Sequence, residues 1–435
     1  MKGKITHIVL YVIVLIGLFF PIIQQNFKLF EEKPLMGYFE TSEFPKWKTE
    51  SWFNGEFQDQ FLNWYEDNLG FKSGLTRIHN QIKFSLFQET SVQRVIIGKE
   101  NFLFEDNYIE AYFGNNYVGL DKLRANAEKL AFIQDTLQKQ GKDLLVVIAP
   151  NKARFYEEYL PNSFSDNVHK SSNYNVIRNE LLSKDINHID FNSWFLEQKE
   201  SSPYLLYPQC GIHWTVYGMS LAADSMIQYL NDKMGFHLPR MEWGGIVSSQ
   251  DYRYPDYDIA DAMNLLWKIS EEELAYPEIS FKQSSETKKP KCIVLGDSYY
   301  NSFIYEGYQA EMFELGGFWY YNDKVYKNSM EESVPVSTMN FNKEIEETEL
   351  FVFLFTEPNI HEIGFGFVEQ LYKHFNTFIS PEERRYLAWI DEQIDYIRSD
   401  EVWMKAIEEK ANLEGRDFED QLRRDAQWAV DERLK

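Results

Sequence analysis

Three stretches limit what this chain can fold into more than any others: DLLVVIAP from Asp143, CIVLGDS from Cys292 and ELFVFLFTEPN from Glu349. Each is an unbroken apolar run of strand length, and a strand that is apolar on both faces needs cover on both faces. Ahead of the first run, Leu123, Ala127, Leu130, Ile133 and Leu137 recur at helical spacing, and Gly141 supplies a stop. The pattern returns as a helix-like segment near 174–182 followed by INHIDFNSW. Helix and buried strand in alternation predict an α/β fold of three layers around a mainly parallel sheet.

All four runs end in polar residues, and ligands of open parallel sheets bind beyond the carboxyl ends of the strands. The spacing therefore predicts that Asn151 and Lys152, Asp190 and Asn192, Asp297 and Ser298, and Glu357 and Asn359 gather on one rim. Taken singly, each reads first as a loop residue capping the next helix, and it is the convergence of several that points to a site.

The amino terminus carries no formal charge from Ile5 to Phe27 apart from the titratable His7, which is long enough to cross a hydrocarbon core. Lys2 and Lys4 precede it, so the bulk of the chain is expected outside the cytoplasm. Phe19, Phe20, Pro21, Ile22 and Ile23 stand where a signal peptidase needs small residues, which predicts an uncleaved anchor. A formal charge of −24 argues against a nucleic-acid partner. Two cysteines, Cys210 and Cys292, exclude a disulfide scaffold or zinc ribbon; they either form one bridge or, as expected here, are buried hydrophobes.

Ser298, in Gly296-Asp297-Ser298 after a buried run, sits where a strand-to-helix turn exposes a hydroxyl and offers amides to an oxyanion. A serine hydroxyl needs a neighbouring base. Among the eight histidines, His213 has the most specific setting, between Ile212 and Trp214 just before a helix-like run.

GKENFLF at 98–104, APNKARFYEEYLP at 149–161, HWTVYG at 213–218 and GDSYYNSF at 296–303 together resemble the SGNH-hydrolase-like alginate O-acetyltransferases of the AlgX and AlgJ type. The resemblance spans about residues 50–375, with the histidine segment before the serine segment as in that family. It implies an SGNH-like fold and an extracytoplasmic enzyme that forms an acetyl-serine and passes the acetyl group to a polysaccharide hydroxyl. It also implies a multi-pass membrane O-acyltransferase as donor partner, Ser298 as nucleophile and His213 as general base. No cofactor or metal is expected.

One departure matters. The family has Asp two residues before this histidine, where this chain has Gly211. Glu357, after the last buried run, is the expected substitute acid; a Ser298–His213 dyad or a dead site are the alternatives. Asp297 is read as bracing the serine turn, Asn359 as an oxyanion donor, and Lys152 as holding substrate or pairing with an acid. Trp214 and Tyr299 join these as oxyanion or substrate-binding candidates.

The expected layout is an anchor at 1–28, an entry region at 29–120, the acyltransferase domain at 121–379 and a helical extension at 380–435 packed on that domain. The expected protein is a single-pass, inner-membrane-anchored O-acetyltransferase working in the periplasm or outside the cell. An acetylesterase of the same fold and a noncatalytic glycan-binding or assembly module are the other readings. The acidic balance makes an acidic glycan an awkward substrate.

Overall fold

The computed structural model describes residues 2–37, 42–164, 170–327, 329–376, 381–414 and 418–434. Among the described residues eleven strands follow in chain order: β1 Val95–Ile97, β2 Leu103–Glu105, β3 Asp143–Ile148, β4 His188–Asp190, β5 Arg240–Ser249, β6 Leu274–Lys282, β7 Lys291–Gly296, β8 Glu314–Tyr320, β9 Lys324–Tyr326, β10 Ser333–Pro335 and β11 Leu350–Phe355. Seven of them form the central sheet in the order β10-β9-β8-β7-β11-β3-β4. The five from β8 to β4 run parallel, and β9 and β10 close one edge antiparallel.

The alternation of side chains along a strand decides the two cores. Leu144, Val146, Ile148, Ile293, Leu295, Phe351, Phe353 and Phe355 point to one face, where helices Leu120–Lys139, Asn173–Ser183 and Phe367–Asn376 cover them. Leu145, Val147, Cys292, Val294, Leu350, Val352 and Leu354 point to the other, under helices Phe191–Gln198 and Val216–Met234. The α/β three-layer expectation holds, and all three long apolar runs are strands buried on both sides. INHIDFNSW contributes only the three residues of β4, because Asp190 caps the next helix by accepting from the Ser193 amide.

Part of the segment read as an entry region is core. β1 and β2 form a hairpin, and Tyr108, Ile109 and Phe113 of the helix after it are buried with the second layer. The hairpin of β5 and β6 was not foreseen; helix Asp258–Met263 lies in the connection between its strands.

At the chain's start, helix Lys2–Phe27 contains the stretch His7–Phe27, with mean hydropathy 2.3, long and apolar enough to cross a membrane. At its other end, helices Pro381–Arg398, Glu401–Glu414 and Phe418–Leu434 pack on one another around Ile390, Ile397, Ile407, Leu422 and Val430. Their apolar stripes are thus largely satisfied within the trio. Arg398 Nη2 donating to the Ser337 carbonyl at 2.7 Å and a bond from Asn342 to Asp391 tie it to the sheet domain.

Candidate functional site

β7 leads to β8 on one side of the sheet and β3 to β4 on the other, so the order reverses around β11, which lies between β7 and β3. Crevices form at such reversals. Ser298 stands there, in the tight turn Ser298–Tyr300 directly after β7. His213 arrives from the loop before helix Val216–Met234, whose first turn is capped by the Thr215 hydroxyl.

His213 Nε2 lies 2.8 Å from Ser298 Oγ, and His213 Nδ1 lies 2.6 Å from Asp258 Oδ2. A carboxylate only accepts, so Nδ1 carries the proton and Nε2 is left to accept from the serine hydroxyl. Asp258 Oδ1 meanwhile accepts from the Ile212 and Ile259 amides at 2.9 and 2.8 Å. Its carboxylate is therefore fixed at both oxygens, one toward the imidazole. Hydroxyl, imidazole and carboxylate form a continuous relay with the geometry of an activated nucleophile.

The acid in this relay is Asp258 and not Glu357. Glu357 Oε1 accepts from Arg154 Nη2 at 2.6 Å, and Oε2 accepts from Arg154 Nε, Asn151 Nδ2 and Asn192 Nδ2 at 3.0, 3.0 and 3.1 Å. The Arg154 guanidinium also lies over the rings of Tyr112 and Tyr174, 5.0 and 4.9 Å from their centroids. The rim residues do converge, but four donors saturate this carboxylate, and the network ties the ends of β3, β4 and β11 together.

Gly211 explains why the acid comes from elsewhere. A Cβ at this position would meet the Pro255 and Asp256 carbonyl oxygens at 2.7 and 2.9 Å and Pro208 Cγ at 2.9 Å. The segment that carries Asp258 is thus pressed against residue 211, and it fills the space an aspartate there would need. Asp258 sits among Asp251, Asp256 and Asp261 in sequence, with no spacing signal to single it out. The empty place at Gly211 was the only hint.

The other expected contacts turn inward. Asp297 Oδ1 accepts from the Tyr299 amide at 3.2 Å, and Oδ2 accepts from the Thr356 amide, the Thr356 hydroxyl and Asn359 Nδ2 at 2.8, 2.6 and 2.9 Å, which braces the turn as read from sequence. Asn359 is no free oxyanion donor, since its amide nitrogen also donates to Thr356 Oγ1 at 3.2 Å. Lys152 is 0% exposed and donates to the Gln209 and Gly211 carbonyls at 2.8 and 2.6 Å, so it holds the histidine loop and not a substrate. Burial lowers its pKa to about 7 against the opposing pull of Cys210, Asp258 and Glu272. Tyr299 donates to the Ile212 carbonyl at 2.6 Å and Trp214 Nε1 to Ser302 Oγ at 3.0 Å; both rings are fully buried. These residues position His213 and Ser298 from behind. Cys210 and Cys292 are buried free thiols.

Two groups facing the relay were missed. Tyr321, just after β8, lies near enough to Ser298 to feel it, and its ring is partly exposed. Tyr321 and Asn322 both take left-handed backbone angles, φ 50° and 53°, a costly conformation for residues with side chains. The Tyr321 amide donating to the Gly296 carbonyl at 3.0 Å and Asn322 Nδ2 donating to the Phe365 carbonyl at 3.1 Å hold that turn. Glu105, at the end of β2, feels His213 and Asp258, and burial raises its pKa.

Residues 95–243 match the family described as SGNH hydrolase-like domain, acetyltransferase AlgX. The match includes His213 and ends before Asp258 and Ser298, so what is said of those two residues rests on this chain's own geometry. The chain is 25% identical over 175 residues to a probable alginate O-acetylase AlgJ of Pseudomonas putida, covering 40% of this chain and 43% of the relative. It is 26% identical over 176 residues to the corresponding protein of Pseudomonas syringae pv. tomato, covering 40% and 42%. The match thus spans less than half the length of these relatives. Among solved structures, the O-acetyltransferase domain of P. putida AlgJ aligns with TM-score 0.41 and 17% identity, over 64% of this chain and 99% of that one. Pseudomonas aeruginosa AlgX aligns with TM-score 0.40 and 17% identity, over 63% and 67%. Over residues 95–243, this chain is similar to the SGNH-hydrolase-like acetyltransferases of the AlgX and AlgJ kind.

Proposed function

We propose that the protein is a membrane-anchored O-acetyltransferase that acetylates a polysaccharide outside the cytoplasm through an acetyl-serine on Ser298. The observation that carries this reading is the relay of 2.8 and 2.6 Å from Ser298 through His213 to Asp258. The names of the relatives, alginate O-acetylases, supply the acetyl group and the class of acceptor. The noncatalytic reading rested on Gly211, and the carboxylate of Asp258 takes that support away.

In the first half-reaction Ser298 Oγ attacks the acyl carbonyl of the donor while its proton passes to His213 Nε2. Asp258 holds the resulting imidazolium. Collapse of the tetrahedral species breaks the bond to the donor's leaving group, which takes the proton from Nε2. In the second half-reaction a sugar hydroxyl gives its proton to Nε2 and attacks the acetyl-serine, and as the tetrahedral species collapses Ser298 Oγ leaves, takes that proton back from Nε2 and frees the acetylated glycan. Water in place of the sugar would make the same site an esterase.

The helix Lys2–Phe27 is assigned as a single inner-membrane span with the sheet domain on the far side, beside a multi-pass O-acyltransferase that delivers acetyl groups. The test is incubation of the full chain with a soluble acetyl ester, followed by intact-mass and peptide analysis with and without an oligosaccharide acceptor. The expected result is an acetyl adduct on Ser298 that the acceptor discharges faster than water. No adduct on a well-folded protein, or discharge indifferent to any sugar, contradicts transfer.

A further inference from the structure

The helices that follow the apolar helix are built inside out. Residues 72–87 form a continuous helical segment, Lys72–Ile82 and then Lys83–Phe87. A helix on a water-soluble domain turns its apolar stripe inward and its polar face out. Here Leu75, Ile78, Ile82 and Leu86, at helical spacing, are exposed, with Leu86 at 72%. Asn80 and Gln81 instead are buried: Asn80 Nδ2 donates to the Met263 carbonyl at 2.8 Å, and Gln81 Oε1 accepts from the Leu266 and Trp267 amides at 3.1 and 3.2 Å.

The preceding helices, Thr49–Phe53 and Glu56–Asn68, continue this surface. The longer of them has no buried residue, and Trp52, Phe57, Phe61 and Leu62 line an open apolar pocket of ≈ 520 Å³. Phe53 is 83% exposed. Exposed aromatic and aliphatic residues on this scale mark a surface meant to be covered.

Continuity with the apolar helix identifies the cover. Gly70 lies so close to the end of that helix that a Cβ would stand 2.3 Å from the Pro21 carbonyl oxygen, and the Phe71 ring is 5.1 Å from that of Phe20. The Phe71 amide donates to Glu32 Oε1, which fixes the corner. The exposed surface at 42–87 therefore meets the last two turns of the stretch His7–Phe27, and aromatic rings are favoured where such a span leaves the hydrocarbon.

We propose that residues 42–87 lie in the bilayer interface as an amphipathic collar, with lipid as the occupant of their exposed apolar face. The inference rests on the membrane-anchored reading. Acidic and basic side chains nearly cancel over this segment, so apolar burial and not attraction to anionic headgroups holds it. The collar's inward face bonds Met263 and Leu266, at and just beyond the end of the helix that begins with Asp258. It thereby sets the acid-bearing wall of the cleft at a fixed height above the membrane.

The full chain in phosphatidylcholine nanodiscs tests this, because Cys210 and Cys292 are buried and a single introduced thiol takes the label. Val12→Cys, Phe53→Cys, Phe87→Cys and Val402→Cys are each labelled with an environment-sensitive fluorophore and exposed to nitroxide-bearing lipids. Loss of most emission at 12, 53 and 87 but not at 402, unchanged in 1 M salt, is the expected result. Quenching at 12 with none at 53 and 87 overturns the collar and leaves the anchor standing. Shielding of 53 and 87 from aqueous iodide without lipid quenching also overturns it, in favour of a protein partner or a second copy. No quenching at 12 removes the anchor, and the collar with it.

Discussion

Asp258 and Glu357 are both acids held near the carboxyl ends of the sheet, and they are held in opposite ways. Glu357 follows β11 directly, is 1% exposed and meets an arginine and two asparagines. Asp258 belongs to no strand of the sheet; it opens a short helix between β5 and β6 and divides its oxygens between two amides and an imidazole. The first carboxylate is saturated, so it ties strands together. The second keeps one oxygen for the His213 imidazole. A strand-end position thus identifies residues that build the rim, while chemistry depends on what a carboxylate has left to bind.

The sharpest way to break this comparison is at the residue both readings share. Ser298→Ala should abolish acetyl transfer to within background, with unchanged thermal unfolding, as measured by acceptor acetylation and a melting curve. Activity that survives in this variant would relocate the site.

Gly211→Asp comes next, and the account expects damage and no rescue. The added side chain must displace the backbone at Pro255 and Asp256, a strain of about 1–3 kcal/mol or more, and it pushes on the segment that carries Asp258. Turnover should fall in the otherwise unaltered protein and should not recover in an Asp258→Asn background.

Glu357→Gln separates bracing from catalysis. It leaves the half-buried Arg154 without its charge partner, which costs about 3–5 kcal/mol when such a pair is broken by removing one member. Urea unfolding should show that loss, while turnover per folded molecule is largely retained.

The smallest effects are in the pH dependence of stability. Burial raises the Asp256 pKa to about 7, partly offset by Tyr276 and the Val216 amide, so the folded state binds more protons than the unfolded one from about pH 4 to 7. Stability from this group therefore falls as pH rises through that window. Burial lowers the Lys152 pKa to about 7, so between pH 7 and its ordinary value of 10.5 the unfolded state binds more protons and stability from this group rises. Each slope is at most about 1.4 kcal/mol per pH unit. Asp256→Asn should flatten the acid limb and Lys152→Met the alkaline one, read as urea midpoints across pH 4 to 10.

The sheet was legible because its three long strands are buried on both faces, and a continuous apolar run such as LFVFLF, too short for a core helix, fits best in the middle of a covered sheet. The pairing of Ser298 and His213 was legible through their local motifs. Asp258 was not, because a lone acid at the start of DIADAM looks like any helix-start acid, and only the folded chain brings it to His213. Lys152, Trp214 and Tyr299 were placed in the right neighbourhood with the wrong orientation. Proximity in sequence to a site residue says nothing about which side of it a neighbour packs. The inward polar face of 72–87 was equally hidden, since periodicity shows a stripe and not the direction it faces.

The central claim is that Asp258, and not Glu357, orients His213. Rapid-quench measurement of Ser298 acetylation by a soluble acetyl ester, in Asp258→Asn and Glu357→Gln side by side, addresses it most directly. By analogy with the corresponding substitution in serine proteases, Asp258→Asn should slow acylation by about 10⁴-fold, while the folded fraction of Glu357→Gln acylates at close to the unaltered rate. Acylation that is fast in Asp258→Asn and slow in Glu357→Gln would contradict the account.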